Sequence, residues 1–263
     1  MTRVLAWFSC GDASAAAAYL AACKYGDNSA IGFQVCYCDT FAYEHPDNRR
    51  FFGDVERWLG FDIKILWSKE YRDIYDVFER TRWLVGIGGA RCTTELKKNV
   101  RTAYQRVGDI HVFGFTADEQ HRVDRFRREN PDLLAEFPLI DAKMTKRDCH
   151  AMVRAAGIEL PMMYRLGYKN NNCIGCVKGQ SGYWNKIRRD FPEAFDKMAK
   201  MERTLNAAIC KREGVKDGKR WRERVFLDEL PPDAGRYEAE PDIECGVLCI
   251  HEPTPNTLSI TQD

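Results

Sequence analysis

Apolar runs alternate with amphipathic segments through the first 155 or so residues, and that alternation leaves few folds open. "RVLAWFS" (Arg3 to Ser9), "IGFQVCYCD" (Ile31 to Asp39), "DIKILWS" (Asp62 to Ser68) and "IHVFGFT" (Ile110 to Thr116) read as strands covered on both faces. Between them, "DASAAAAYLAACK", "PDNRRFFGDVERWLG", "YRDIYDVFERTRWL" and "TTELKKNVRTAYQRVG" carry helical periodicity, with Gly60 and Gly108 as expected C-caps. "TKRDCHAMVRAAGI" adds a helix with Thr145 as its N-cap. Strands and helices in series imply an α/β fold: a mostly parallel, Rossmann-like sheet with helices on both faces. Past Pro161 the pattern changes to an Asn-rich loop, a cysteine pair, one long helix expected near Tyr183 to Arg212, and a tail rich in Pro, Asp and Glu. A chain of 263 residues holds one large core with at most a small satellite. The expected division is residues 1–165 for the α/β domain and 166–263 for a cysteine-rich, helical C-terminal segment.

Ligands of open α/β sheets bind beyond the carboxyl ends of the strands. That edge offers Ser9 to Ser14, then Asp39 and Thr40, Ser68, and Thr116 to Glu119. At the first turn, "FSCGDAS", Gly11 lets backbone amides approach a ligand and Ser9 and Ser14 add hydroxyls. The helix that follows contributes partial positive charge, so the turn suits a phosphate or sulfate. A turn that needs glycine only for its dihedrals would read the same way.

Eleven cysteines in a chain with no secretory leader in view argue against a disulfide framework, and a cytoplasmic protein is expected. "NNNCIGCVKG" places Cys173 and Cys176 in a Cys-x2-Cys knuckle that can grip one metal or two corners of a cluster. Cys92 follows Arg91 at an expected helix start, a setting that lowers a thiol pKa. The tail adds Cys245 and Cys249, with His251 two residues on. A four-cysteine zinc site of Cys173, Cys176, Cys245 and Cys249 and an iron–sulfur cluster both stay open here. Cys23, Cys36, Cys38 and Cys210 are expected to be packing residues, and Cys10 stands inside the turn. With a net charge of +1, no global field draws the chain to nucleic acid or membrane, so any such binding needs a local patch. The basic runs "RTAYQR", "HRVDRFRR" and "KIRRDF" read as solvated helix faces, and no stretch is long and apolar enough for a membrane span.

"FSCGDASAAAAYL" resembles the PP-loop of the adenine-nucleotide alpha hydrolases, and "CDTFAYEHPDNRRFFGDVERWLG", "ARCTTELKK", "GFTADEQHR" and the tail's "ECG" are similar to the phosphoadenosine phosphosulfate (PAPS) reductase family. The resemblance spans roughly Val4 to Cys176. It implies an adenine nucleotide or sulfonucleotide held by Ser9, Cys10, Gly11, Asp12, Ser14, Asp39, Thr40, Gly114, Thr116, Glu119 and Arg122. It also implies Cys245 as the thiol that attacks the activated sulfate, with a thiol carrier such as thioredoxin then releasing sulfite. A 4Fe-4S cluster on Cys92, Cys173 and Cys176 is the implied cofactor, with Cys249 as the fourth ligand or else Cys245, Cys149, a bound substrate or none, and with zinc as the alternative. Three positions depart from the pattern: Ala13 replaces an aspartate that handles magnesium and pyrophosphate, Thr116 or Phe115 an arginine, and Thr93 a second cysteine. Two other functions remain open: an ATP-dependent, iron–sulfur sulfurtransferase or ATP pyrophosphatase acting on nucleic acid or a small molecule, and a non-catalytic nucleotide-binding module with structural zinc. The long helix is expected to pack on the domain or on a second subunit of a homo-oligomer.

Overall fold

The computed structural model describes residues 2–86, 89–216, 219–243 and 245. Five parallel strands form the central sheet: β1 (Thr2–Phe8), β2 (Ile31–Cys38), β3 (Ile63–Leu66), β4 (Ile110–Val112) and β5 (Leu134–Glu136). Their spatial order is β3-β2-β1-β4-β5, so Val4 pairs with Phe33 on one side and Ile110 on the other. The expected α/β fold is therefore present. The fifth strand was not anticipated, because Leu134–Glu136 lacks the flanking apolar run that marks the equally short β4.

Both faces of the sheet are covered, which explains the unbroken apolar run of β1. Val4, Ala6 and Phe8 pack with Phe51, Val55 and Leu59 of α2 (Asn48–Leu59) on one face. Leu5 and Trp7 pack with Phe113, Val123 and Phe126 on the other. Each fully buried Phe, Leu or Val stabilises by about 1.5–3 kcal/mol. The helix α1 (Asp12–Tyr25) lies flush because Ala15, Ala16, Ala17 and Ala18 are small and buried. Gly60 caps α2 in the left-handed region as expected. Gly108 does not cap its helix, which already ends at Tyr104.

Two helical segments bear on the site. The first, α4, follows α3 (Ile74–Thr81) and runs as Arg91–Thr93, then a π-helical turn at Thr94–Lys98, then Asn99–Tyr104. The second is the helix Lys146–Ala155, capped by Thr145 in a reciprocal box with Asp148. A further buried cluster joins Ile74, Val77, Phe78 and Leu96 to Met163, Trp184, Ile187 and Met198, across the expected division at residue 165.

The expected single helix to Arg212 is corrected. Ser181–Asp190 and Pro192–Leu205 are separate helices, because Pro192 denies its predecessor Phe191 a helical conformation. After Asn206 the chain becomes an antiparallel ribbon, β6 (Cys210–Lys216) with β7 (Lys219–Val225). Cys210 is accordingly a buried strand residue, and Cys23 is exposed instead of packed. The buried Glu202 carboxylate accepts the backbone N–H groups of Ile209 at 2.5 Å and Leu227 at 2.6 Å, one on each side of the ribbon. No described helix is long and apolar enough to cross a membrane.

Candidate functional site

The strand order reverses between β1 and β4, and a cavity of about 390 Å³ opens there, within the size range of nucleotide-sized sites. Its floor is the first turn. Ser14 Oγ accepts from Ser9 N at 3.0 Å and donates to the Gly11 carbonyl at 2.9 Å, which closes the turn on itself. Gly11 stands at the N-cap of α1 with no side-chain cap, leaving first-turn N–H groups to face an anion. A Cβ at Gly11 would meet Tyr164 Oη at 3.5 Å and the Ser9 and Ser14 hydroxyls at 3.9 Å, so the position has room and borders the cavity. Gly114 is needed more strictly. A Cβ there would stand 2.7 Å from Ser14 Cα and 2.8 Å from the Ala13 carbonyl.

The left-handed residue of the turn is Cys10 (φ 55), not a glycine. That conformation costs a non-glycine residue about 1–2 kcal/mol. Its carbonyl is held by Asn171 Nδ2 at 2.6 Å, which also donates to Asn48 Oδ1 at 2.9 Å. Asp12 lines the cavity and accepts from Tyr164 Oη through Oδ1. Its buried Oδ2 lies 3.0 Å from His150 Nε2, an ion-pair distance without hydrogen-bond geometry, and has no hydrogen-bond partner among the described residues.

Ser9, Gly11, Asp12, Ser14, Gly114, Thr116, Glu119 and Arg122 all line this cavity. Thr116 and Glu119 form a capping box, Arg122 pairs with Glu119, and its guanidinium stacks 4.4 Å from the Phe115 ring centroid. Lys97 and Lys146 add two cations that the sequence did not single out. Three expected residues do not line the cavity. The Cys10 side chain is fully buried, Asp39 is exposed and accepts from Phe41 N, and Thr40 donates to Glu44 and opens on a different cavity.

That second, smaller cavity brings Cys92, Cys173, Cys176 and Cys245 together, along with Thr93, Lys97 and the apolar Ile74, Phe78 and Val177. Cys92 comes from the first turn of α4. The Cys173–Cys176 knuckle is shaped by the Tyr183 hydroxyl, which accepts from Cys176 N at 2.9 Å and donates to the Cys173 carbonyl at 3.2 Å. Asn172 Nδ2 donates to the Ile243 carbonyl at 3.1 Å and thereby places the segment that carries Cys245. Cys245 Sγ lies 3.7 Å from Thr93 Oγ1 and 3.8 Å from Lys97 Nζ. Cys249 and His251 lie outside the described residues; among the described residues, the fourth thiol at the cavity is Cys245. Cys149 packs against Ala16, Ala17 and Leu139 instead.

Burial pushes the Cys92 and Cys176 thiols up to about 12 and Cys173 well above the usual thiol range. Burial opposes the Cys245 thiolate too, but the Lys97 and Lys178 ammonium groups and the Thr93 hydroxyl outweigh it and hold this thiol below its ordinary value. Among the described residues, no three His, Cys, Asp or Glu side chains are placed to hold a single metal ion. One tetrahedral zinc needs every thiolate at about 2.3 Å, whereas a cluster spreads its thiolates over several irons. The four described thiols that line this cavity are the donor type that either group uses.

Cys245 and Lys97 line both cavities, so the nucleotide-sized site and the thiol site share a wall. Tyr164, His150, Asn48 and Asn171 escaped the sequence reading, because none belongs to a spaced motif and each acts through a partner more than 30 residues away. The triple Asn at 170–172 was the one visible signal.

No protein-family model matches the chain, and no curated protein does. Among solved structures, the U34-tRNA thiolase NcsA from Methanococcus maripaludis with its 4Fe-4S cluster is similar over 78% of this chain and 72% of that chain, at 12% identity and a TM-score of 0.42. A likeness that loose assigns this chain neither family nor activity.

Proposed function

We propose that the chain is an ATP-dependent sulfurtransferase that holds a 4Fe-4S cluster on Cys92, Cys173, Cys176 and Cys245. The observation that carries this reading is the shared wall: Cys245 and Lys97 border both the nucleotide-sized cavity and the thiol cavity. The turn from Ser9 to Ser14 and the start of α1 bind the phosphates, and Lys97, Lys146 and Arg122 balance their charge. Asp12 Oδ2, buried without a hydrogen-bond partner, takes the magnesium that accompanies ATP, in place of the aspartate that Ala13 lacks. An acceptor oxygen attacks the α-phosphorus and pyrophosphate leaves; a hydrosulfide ion then displaces AMP from the adenylated acceptor, the carbon–sulfur bond forming as the carbon–oxygen bond breaks, with no change of oxidation state. When bound, the cluster supplies iron and sulfide chemistry beside the nucleotide.

A second reading, sulfonucleotide reduction, is favoured by one feature: the Cys245 thiol is held below its ordinary pKa and borders the nucleotide cavity. There its thiolate would attack the sulfate sulfur and release the nucleotide, and a thioredoxin-type thiol would free sulfite. Anaerobically purified protein given magnesium–ATP with an RNA, DNA and metabolite extract as the source of acceptor, or PAPS with a dithiol reductant, separates the two. Pyrophosphate from ATP without sulfite from PAPS is expected. Sulfite from PAPS, lost in Cys245→Ser, together with inert ATP, would overturn the proposal in favour of the reductase.

A further inference from the structure

A third cavity, of about 1250 Å³, lies between the β6–β7 ribbon and the body. Its described lining carries seven Lys and Arg against three Asp and Glu, in a protein whose net charge is only +1. Lys178, Lys211, Arg212, Arg222 and Arg236 are among the cations. Glu240 is committed inward, accepting the N–H groups of Gly182 and Tyr183, and among the cations Arg212 pairs with Glu223 and Arg224 donates to the Ala208 and Ile209 carbonyls, so the surplus of positive charge remains. Trp221 sits on the same cleft and is 39% exposed, so part of its ring faces the cleft's solvent. Asp242 and Ile243 line both this cleft and the nucleotide-sized cavity, so the two adjoin there.

A positively charged groove with an exposed aromatic ring is the arrangement that holds a nucleic-acid strand, the cations tracking phosphates and the ring stacking on a base. We infer that the acceptor of the proposed sulfur transfer is a nucleic acid whose phosphodiester backbone lies in this cleft, with one nucleotide presented across Asp242 and Ile243 to the site. The inference rests on the sulfurtransferase reading only for what becomes of that nucleotide; strand binding stands or falls by itself. An acidic protein would satisfy the charge but would leave Trp221 without a base to stack on.

Fluorescence anisotropy with labelled single-stranded RNA and DNA, using the full chain without ATP, tests it. Binding is expected to weaken at least about tenfold between 50 and 200 mM salt, as phosphate neutralisation requires. Arg212→Gln combined with Arg222→Gln should weaken it at least about tenfold, and Trp221→Ala, which leaves every charge in place, at least about threefold. Circular dichroism identifies a variant that has failed to fold, in which case the other decides. A preference for RNA or for DNA names the strand, and equal affinity marks a site that reads the backbone alone; each supports the inference. No binding at the lowest salt, variants that bind like the wild type, or displacement by polyglutamate as effective as by the unlabelled strand would overturn it. Strand binding with no pyrophosphate release removes the ATP reading and leaves this site standing. Pyrophosphate release with no strand binding does the reverse.

Discussion

The nucleotide-sized cavity and the thiol cavity share a wall but are built by opposite means. The first stands on the ends of β1 and β4, adjacent strands of one sheet, and its floor is made mostly by local contacts, Ser14 Oγ with Ser9 N and the close approach of the Gly114 backbone, with Asn171 and Tyr164 added from the distant loop. The second draws its thiols from positions 92, 173, 176 and 245, and side-chain hydrogen bonds fix it: Tyr183 on the knuckle, Asn172 from the knuckle's own loop to the tail. A site built from backbone at a sheet edge is largely preformed once the core has packed. A site collected from distant loops needs something to hold the loops together, and a metal cluster does so as ligand binding coupled to folding.

The largest expected effect would break the pairing of the two cavities. Cys173→Ala should remove the visible iron–sulfur absorption and the bound iron outright, while calorimetric nucleotide affinity stays near the wild type. Loss of nucleotide binding along with the iron would show that the cavities do not form independently. The converse change is Gly11→Val. A Cβ fits at Gly11, whose φ of −101 and ψ of 155 suit valine, but the added methyl groups project toward the Ser9 and Ser14 hydroxyls. Nucleotide affinity should fall by at least about a thousandfold, roughly 4 kcal/mol, with the chromophore intact. Unchanged affinity in a folded variant would remove the turn from the site.

The smallest effect sharpens the contrast between sheet and C-terminal layer. Burial raises the Glu202 carboxyl from its usual 4.5 to about 7, against the two backbone N–H groups that favour its ionised form. The folded state thus holds a proton that the unfolded state has already released. Stability from this group is complete below about pH 4.5 and is lost as pH rises through 7, by about 2–3 kcal/mol. Thermal melts of the wild type against Glu202→Gln at pH 5 and pH 8 should show the wild type losing ground at the higher pH. Parallel behaviour at both would mean that Glu202 does not titrate in that window.

The sheet was legible because β1 and β2 are long enough to show unbroken apolar runs and α2 shows helical periodicity. β5 lacks the flanking apolar run that marks the equally short β4. In the site, Ser9, Gly11, Ser14, Gly114 and Thr116 were legible from their place at strand ends, since topology alone puts them there. Thr40 faces the thiol cavity because the chain turns away after β2, which a strand boundary cannot reveal. Lys97 was read as one more cation of a helix; the π-helical turn that carries it leaves no compositional mark. The basic ribbon was missed because "CKREGVKDGKRWRERV" follows a true helix and is charged nearly throughout, so neither period stands out.

Glu202 has a consequence for how this protein can vary. One carboxylate receives the chain just before the ribbon and again just after it, so both roots of β6–β7 are fixed to the same point of the core. Inside the buried Cys210 and Val225, what lies between Lys211 and Arg224 can be lengthened, shortened or recoded without moving a residue described as buried, and doubling the length of such a loop costs only about 0.6 kcal/mol in closure entropy. The ribbon is in that respect an exchangeable cassette. Grafting a ribbon of different length and charge between Cys210 and Val225 would change what the cleft accepts while leaving the sheet, the turn and the thiols as they are.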